Sequence, residues 1–294
     1  MTKTITLTSL PGAGRLYPKA VSAMLPVVGK PARVAPDAPL PDTVFTIEDL
    51  RVDRDEMREY CRATGLQFGS ELPLTYLFVL QFPLAMSVMV LPDFPFGAVG
   101  SVHVENRIER LRRIAVDEPL SISTHAENLR EHRKGMLVDM VSEFRVGREL
   151  VAVQTATFLK QQRTSLSDEE RGPAPKNVAP PPPDRVVGVD LGLIRQYANA
   201  SGDRNPIHMA DLTAKAFGFS RAIAHGMWGA AALLDNVEAQ LPDAVVYSVR
   251  FGKPVLLPAK LNFYTTRTAD GYDLAVRHRR KGYPHITATT RPRG

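Results

Sequence analysis

Two stretches of the chain carry one pattern of apolar and polar positions. Val52-Asp53, Arg58, Tyr60, Ala63 and Gly65 return at a single offset as Val189-Asp190, Arg195, Tyr197, Ala200 and Gly202. Each stretch predicts an amphipathic helix opened by a capping aspartate and closed by a glycine after small residues. The recurrence of a whole element is an internal repeat. A long apolar helix follows in each half, at 74–91 and at about 226–240, and Phe82-Pro83-Leu84-Ala85-Met86 reads as the counterpart of Ile223-Ala224-His225-Gly226-Met227. Behind each helix the pattern changes to β-rich runs. In the first half these are Val99 to Val104, Leu120 to Asn128, Met136 to Val146 and Leu150 to Leu159. In the second they are Val245 to Phe251, Leu261 to Thr268, Tyr272 to Arg280 and His285 to Thr290. A buried helix followed by four or five antiparallel strands predicts an α+β module, the helix lying on one face of a curled sheet. Two such modules would pair.

Between the halves, residues 171–184 read RGPAPKNVAPPPPD, a segment too rich in proline for a helix or a sheet interior and expected to run extended as a spacer. The expected organisation is therefore a module at 1–170, a linker at 171–184 and a module at 185–294. The run from Leu72 to Leu91 carries no charge and approaches the length of a membrane span. Pro73, Pro83, Gln81, Ser87 and the terminating Pro92-Asp93 argue against spanning, and a core helix wrapped by a sheet has the same pattern. Near the N-terminus, Pro11, Arg15, Pro18 and Lys19 interrupt any apolar run long enough for a signal peptide, so none is expected.

The 44% hydrophobic and 23% charged composition is that of a folded globular chain of 294 residues, long enough for two modules. One cysteine, Cys61, excludes an intramolecular disulfide framework and any multi-thiolate metal site, and it fits a reducing, cytoplasmic compartment. A formal charge of +6 favours anionic partners. The basic residues fall in short groups, Arg107 to Arg113, Arg130 to Lys134 and Arg277 to Lys281, without the signature of a nucleic-acid module. Solvated strand edges account for them equally well.

The second copy holds chemistry that the first lacks. After Tyr197 the chain reads Ser201-Gly202-Asp203-Arg204-Asn205-Pro206-Ile207-His208, and fifteen residues on comes Ile223-Ala224-His225-Gly226-Met227. Gly202 and Asn205 tolerate unusual backbone angles and Pro206 fixes one dihedral, so this is a turn across which Asp203 and His208 can converge. A carboxylate beside an imidazole holds and polarises a water molecule, which makes the pair a candidate general acid/base dyad. The plainer alternative is an aspartate that caps a helix and a histidine that packs locally.

The complete motif resembles the hydratase-2 signature of MaoC-like (R)-specific enoyl-thioester hydratases. The resemblance extends over both halves as a double hot-dog chain of the kind found among mycobacterial 3-hydroxyacyl-thioester dehydratases. It implies reversible hydration of trans-2-enoyl thioesters and dehydration of (R)-3-hydroxyacyl thioesters in fatty-acid metabolism, with catalytic Asp203 and His208 and with no metal or other cofactor. Gly226, at the expected start of the buried helix, would offer an N–H to the thioester oxygen, and glycine there also suits close helix–sheet packing. Asn205 resembles the third polar residue of the signature and would bind the dyad or hold the turn. His225 shares the motif but is given no catalytic role; Trp228 shapes an acyl pocket or fills core, and Tyr197 packs its helix. Pro258-Ala259-Lys260 departs from the usual acidic turn of the family. The first copy has Leu66-Gln67-Phe68-Gly69 after Gly65 and no dyad, which casts it as the non-catalytic partner that completes the pocket. The implied partner is an acyl-CoA or acyl carrier protein thioester, with no nucleic acid and no membrane span, and a homodimer of such double chains is compatible. Two other functions stay open: a hot-dog acyl-thioesterase, and a non-catalytic acyl-binding or assembly subunit.

Overall fold

Asp53 and Asp190 open the two repeated helices in the same way. The Asp53 carboxylate accepts from the backbone N–H groups of Asp55 and Glu56 at 2.8 and 3.1 Å, and Asp190 accepts from Leu193 at 2.8 Å, satisfying donors that a helix leaves orphaned at its start. Helix α1, Arg54–Thr64, closes on Gly65 at φ +83°, and α3, Leu191–Ser201, closes on Gly202 at φ +72°. Both glycines take the left-handed conformation in which other residues are strained. This computed structural model describes residues 2–12, 33–98, 100–168 and 180–294. Most of the expected linker, 171–179, and the N-terminal stretch 13–32 lie outside the described residues.

The long apolar runs become α2, Tyr76–Met89, and α6, Gly226–Leu234. Both are buried almost all round, as a helix wrapped by sheet must be when it has no polar face. Two short helices, α4 Pro206–Met209 and α5 Asp211–Ala216, lie between α3 and α6. In the first half β1 Lys3–Leu7 and β2 Thr43–Leu50 precede α1, and β3 Ser101–Arg110, β4 Leu120–His132, β5 Gly135–Val146 and β6 Glu149–Gln161 follow α2. In the second half β7 Arg185–Val189 precedes α3, and β8 Val245–Phe251, β9 Ala259–Thr268, β10 Gly271–His278 and β11 Pro284–Pro292 follow α6.

The eleven strands among the described residues form one sheet in the order β1-β2-β4-β5-β6-β3-β8-β11-β10-β9-β7. From β2 onward the order of the first half is the reverse of that of the second, as expected for two copies set side by side about a pseudo-twofold axis. The junction is the antiparallel pair β3–β8, from Glu105 opposite Arg250 to Arg110 opposite Val245. Pairing there removes two exposed sheet edges, each a row of unmet backbone groups. Trp228 reinforces the junction by donating its indole N–H to the Ala63 carbonyl at 2.8 Å. The α+β class and the paired-module architecture agree with the sequence reading. Among the described residues no helix is long and apolar enough to cross a membrane; the run from Leu72 to Leu91 is core.

One expected register is corrected. Helix α2 begins at Tyr76, so the structural counterpart of Gly226 is Tyr76, and Leu84-Ala85 lies inside the helix instead of at its start. The reason is unequal spacing: 11 positions separate Gly65 from Tyr76, whereas 24 separate Gly202 from Gly226. The additional residues of the second copy are those that carry the motif.

Candidate active site

The motif segment is a succession of side-chain-to-backbone turns. Asp203 N–H donates to Ser201 Oγ at 3.3 Å, Asn205 N–H donates to Asp203 Oδ1 at 3.2 Å, and Asn205 Oδ1 accepts from Ile207 N–H at 3.4 Å. Asn205 thus holds the turn and caps α4, with Pro206 at the first helical position, where its missing N–H costs nothing. Arg195 of the repeated helix fixes the far end by donating to the Met209 carbonyl at 2.8 Å. His208 stands on this one-turn helix, buried, with Nδ1 on the Ile223 carbonyl at 2.8 Å. The segment that presents that carbonyl is itself anchored, Ile223 N–H to the Ile207 carbonyl at 3.1 Å and Ala224 N–H to the Val255 carbonyl at 2.9 Å.

His225 caps α6 and completes the cluster. Its Nε2 donates to the Asp203 carbonyl at 2.9 Å and lies 3.8 Å from the Asp203 carboxylate. The His208 and His225 rings stack with centroids 3.7 Å apart. Asp203, His208 and His225 each offer an atom within 4.8 Å of the others, so the convergence expected of Asp203 and His208 is present. His225, left without a role from sequence alone, is the residue that ties the Asp203 backbone to the His208 ring. Tyr197 packs against the other side of it at 5.0 Å.

Burial holds both imidazoles below the usual histidine range, His225 to about 3, against the opposing pull of the Asp203 charge. Both rings are therefore neutral at pH 7. Carbonyl acceptors fix the tautomers: His208 carries its proton on Nδ1 and keeps a lone pair on Nε2, while His225 carries its proton on Nε2. These three residue types also form a conceivable metal-ligand set. However, lone pairs of imidazole lie in the ring plane, and two rings stacked with centroids 3.7 Å apart at 29° hold theirs in nearly parallel planes, a poor match to the convergent, roughly 2.0 Å bonds of a tetrahedral zinc site.

Gly226 opens α6, where backbone N–H groups have no partner within the helix. A Cβ built on it would lie 2.8 Å from the Phe251 ring, so only glycine lets that ring reach the helix start. Asp203, His208, His225 and Gly226 line one end of a cavity of about 280 Å³, and its walls continue into the first half at Phe78, Phe82, Met86 and Met89 of α2. These four lie at helical spacing on one face of α2, a smooth apolar strip. Trp228 serves both purposes considered for it, lining the cavity and standing in the core. The cavity also has a lining residue that the sequence reading passed over, His103 of β3.

The basic groups differ in use. Arg107, Arg112 and Arg113 pair with Glu109, Glu118, Glu149, Glu71 and Asp243, and Arg130 pairs with Asp139. Arg110 is buried and donates to the carbonyls of Pro242 and Asp243. Most of the arginines in these two groups are paired within the fold, while Arg133 and Lys134 are exposed. By contrast, Lys253 lines the cavity with its ammonium 4.4 Å over Tyr283, and Arg279, Arg280 and Lys281 sit on the neighbouring β10–β11 turn.

Comparison with known proteins agrees with this fold. The MaoC like domain family matches residues 179–289, the second half. The chain is 48% identical over 273 residues, 93% of its length and 95% of the relative's, to 3-hydroxyacyl-thioester dehydratase X of Mycobacterium tuberculosis. A crystal structure of that mycobacterial protein superimposes with a TM-score of 0.77 at 46% identity, covering 85% of this chain and all of the other. A MaoC-like dehydratase from Phytophthora capsici shares the fold at a TM-score of 0.69 and 18% identity, with 89% of this chain and 98% of that chain covered.

Proposed function

The chain belongs to the MaoC-like dehydratases and is a 3-hydroxyacyl-thioester dehydratase/enoyl-thioester hydratase, and from that premise we propose that Asp203, His208 and the Gly226 N–H carry out the reaction. The observation that carries this reading is the meeting of a carboxylate, a neutral imidazole with an available lone pair and a helix N-terminus on the wall of one apolar cavity. In hydration, water gives a proton to the Asp203–His208 pair as its oxygen bonds C3 of the trans-2-enoyl thioester. Electron density moves to the thioester oxygen, where the Gly226 N–H stabilises the enolate. The pair then returns its proton to C2, leaving the (R)-3-hydroxyacyl thioester. Dehydration is the reverse. His225 is a positioning residue in this scheme, and Asn205 holds the turn.

The proposed division of labour puts acid/base chemistry at 185–294 and acyl-chain binding at 1–170, joined through 171–184. The α2 face of Phe78, Phe82, Met86 and Met89 supports the second role. Lys253 and the β10–β11 turn would receive the phosphates of coenzyme A or the acidic surface of an acyl carrier protein. A buried, unpaired Cys61 suits a cytoplasmic location.

The test follows absorbance of the conjugated enoyl thioester with crotonyl-CoA and longer homologues, together with product chirality. Asp203→Asn and His208→Ala should each lower turnover by at least about a hundredfold with the melting temperature near that of the parent. Near-parental turnover in either variant would sink the assignment of the pair, and release of free thiol in place of loss of the double bond would identify a thioesterase.

A further inference from the structure

Strand β3 turns Asn106, Ile108 and Arg110 into the protein, where all three are buried. With a side-chain period of two, the next inward position would be Val104. A bulge intervenes. In the pairing with β6, His103 opposes Phe158 and Glu105 opposes Thr157, so Val104 has no opposite number. The extra residue reverses the alternation and turns His103 to the inner face instead.

The bulge delivers an imidazole into a setting of aromatic rings. His103 stacks on Phe78 at 5.3 Å and on Phe158 at 4.9 Å, and meets Phe251 at 4.8 Å. Phe251 is the ring that rests against Gly226, so one ring separates His103 from the proposed oxyanion donor. The field of Asp203 reaches it as well, and burial keeps it neutral, at about 4. Contacts with the Glu105 backbone and the Asn106 side chain favour its protonated form, and Nε2 is buried with no partner. With Nε2 unpartnered, those contacts fall to Nδ1 and place the proton there; Nε2 is then a hydrogen-bond acceptor among aromatic rings, a group that is costly to leave unmet. A 3-hydroxyacyl group carries one donor, its hydroxyl.

We propose that His103 Nε2 accepts a hydrogen bond from the C3 hydroxyl of the substrate. The first half thus supplies a polar contact to the reacting end of the acyl group as well as a wall for its tail. This inference rests on the reading of the cavity as an acyl-thioester site. The contact exists with the 3-hydroxyacyl thioester and in the transition state, where the C3 oxygen is present, and is absent with the enoyl thioester.

That asymmetry sets the test, with KM and kcat measured in both directions on a 3-hydroxyacyl-CoA and its trans-2-enoyl-CoA. His103→Phe keeps the ring stacking and removes the acceptor. In dehydration its KM should rise about tenfold with kcat unchanged, and in hydration its kcat should fall about tenfold with KM unchanged. The two halves of that result are tied by the equilibrium constant, which no variant alters. His103→Gln, which restores an acceptor, should recover most of both effects; His103→Leu serves as the acceptor-free variant if the phenylalanine packs poorly. Parental constants in the acceptor-free variant, an equal loss of kcat in both directions, or no recovery with glutamine would overturn the proposal. A parent chain that converts neither thioester would refute the functional reading itself, and the inference with it.

Discussion

Three of the four histidines that line the cavity, His103, His208 and His225, are held neutral by the same loss of hydration, and burial shifts the fourth, His285, in the same direction. The charged form of a buried imidazole has no water to solvate it, and the nearby Asp203 carboxylate only partly compensates. The consequence for stability has a definite sign. Above pH 6.5 these rings are neutral in both folded and unfolded chains, so their contribution to stability is fully present. As pH falls below 6.5 the unfolded chain takes up protons that the folded chain refuses until His103 reaches about 4 and His225 about 3. Stability should drop across that window, by up to about 1.4 kcal/mol per pH unit for each histidine. Glu238 acts oppositely, since burial raises its carboxyl and its contribution is lost as pH rises, but it is one group against the four histidines of the cavity. The melting temperature should therefore fall between pH 7 and pH 5 and fall less in His103→Phe; a flat profile would show that these rings are hydrated.

Helix α6 shows how one element serves both packing and chemistry. Its two glycines each admit a neighbour, Gly226 the Phe251 ring at 2.8 Å and Gly229 the Ile286 Cδ1 at 2.5 Å, measured to a Cβ that neither has. An aromatic ring is rigid, whereas the end of an isoleucine can move. Gly226→Ala should thus displace Phe251 from the helix start and lower kcat by roughly tenfold to a hundredfold, while Gly229→Ala should cost about 1–3 kcal/mol of stability with kcat near that of the parent. Kinetics beside thermal melts decide it, and equal losses of kcat would dissociate Gly226 from the oxyanion. At this scale the sequence was largely legible: capping aspartates, closing glycines, apolar helices and alternating strands all carry local signals. The mistaken register at Ala85 arose because the first turn of α2 is apolar and Thr75 makes no capping hydrogen bond, so no polar landmark fixes where the helix begins; Gln81 and Ser87 lie further along. His103 was invisible for a related reason. A bulge depends on how the partner strand pairs, and alternation read along β3 alone points Val104 inward. Asp203 and His208 stood out because the turn residues around them are specific, whereas the stacking of His225 depends on contacts between distant segments.

The whole molecule is one sheet made from two incomplete parts. Beside the β3–β8 ladder, Arg113 pairs with Asp243 at 2.8 Å, Glu238 accepts from the Leu74 N–H at 2.6 Å and Trp228 reaches Ala63. Each contact runs between the halves, and the Glu238 carboxyl sits beside the start of α2, where the first half would otherwise mirror the site at Gly226. Residues 185–294 hold Asp203, His208, His225 and Gly226, yet Phe78, Phe82, His103 and Phe158, which line the same cavity, come from the first half. Separated, the second half would expose the β8 edge and the apolar face of α6 near Trp228, a combination that favours aggregation over folding. Expressed alone, residues 185–294 should be insoluble or inactive, and co-expression with residues 1–170 should restore hydration of long-chain enoyl thioesters. With the intact chain, titration by a tight-binding substrate analogue should saturate at one equivalent, because the first half has no acid/base pair and Glu238 already accepts from the Leu74 N–H just before α2. Two equivalents, or full long-chain activity from the isolated second half, would show that each module is complete in itself and that the junction is only a scaffold.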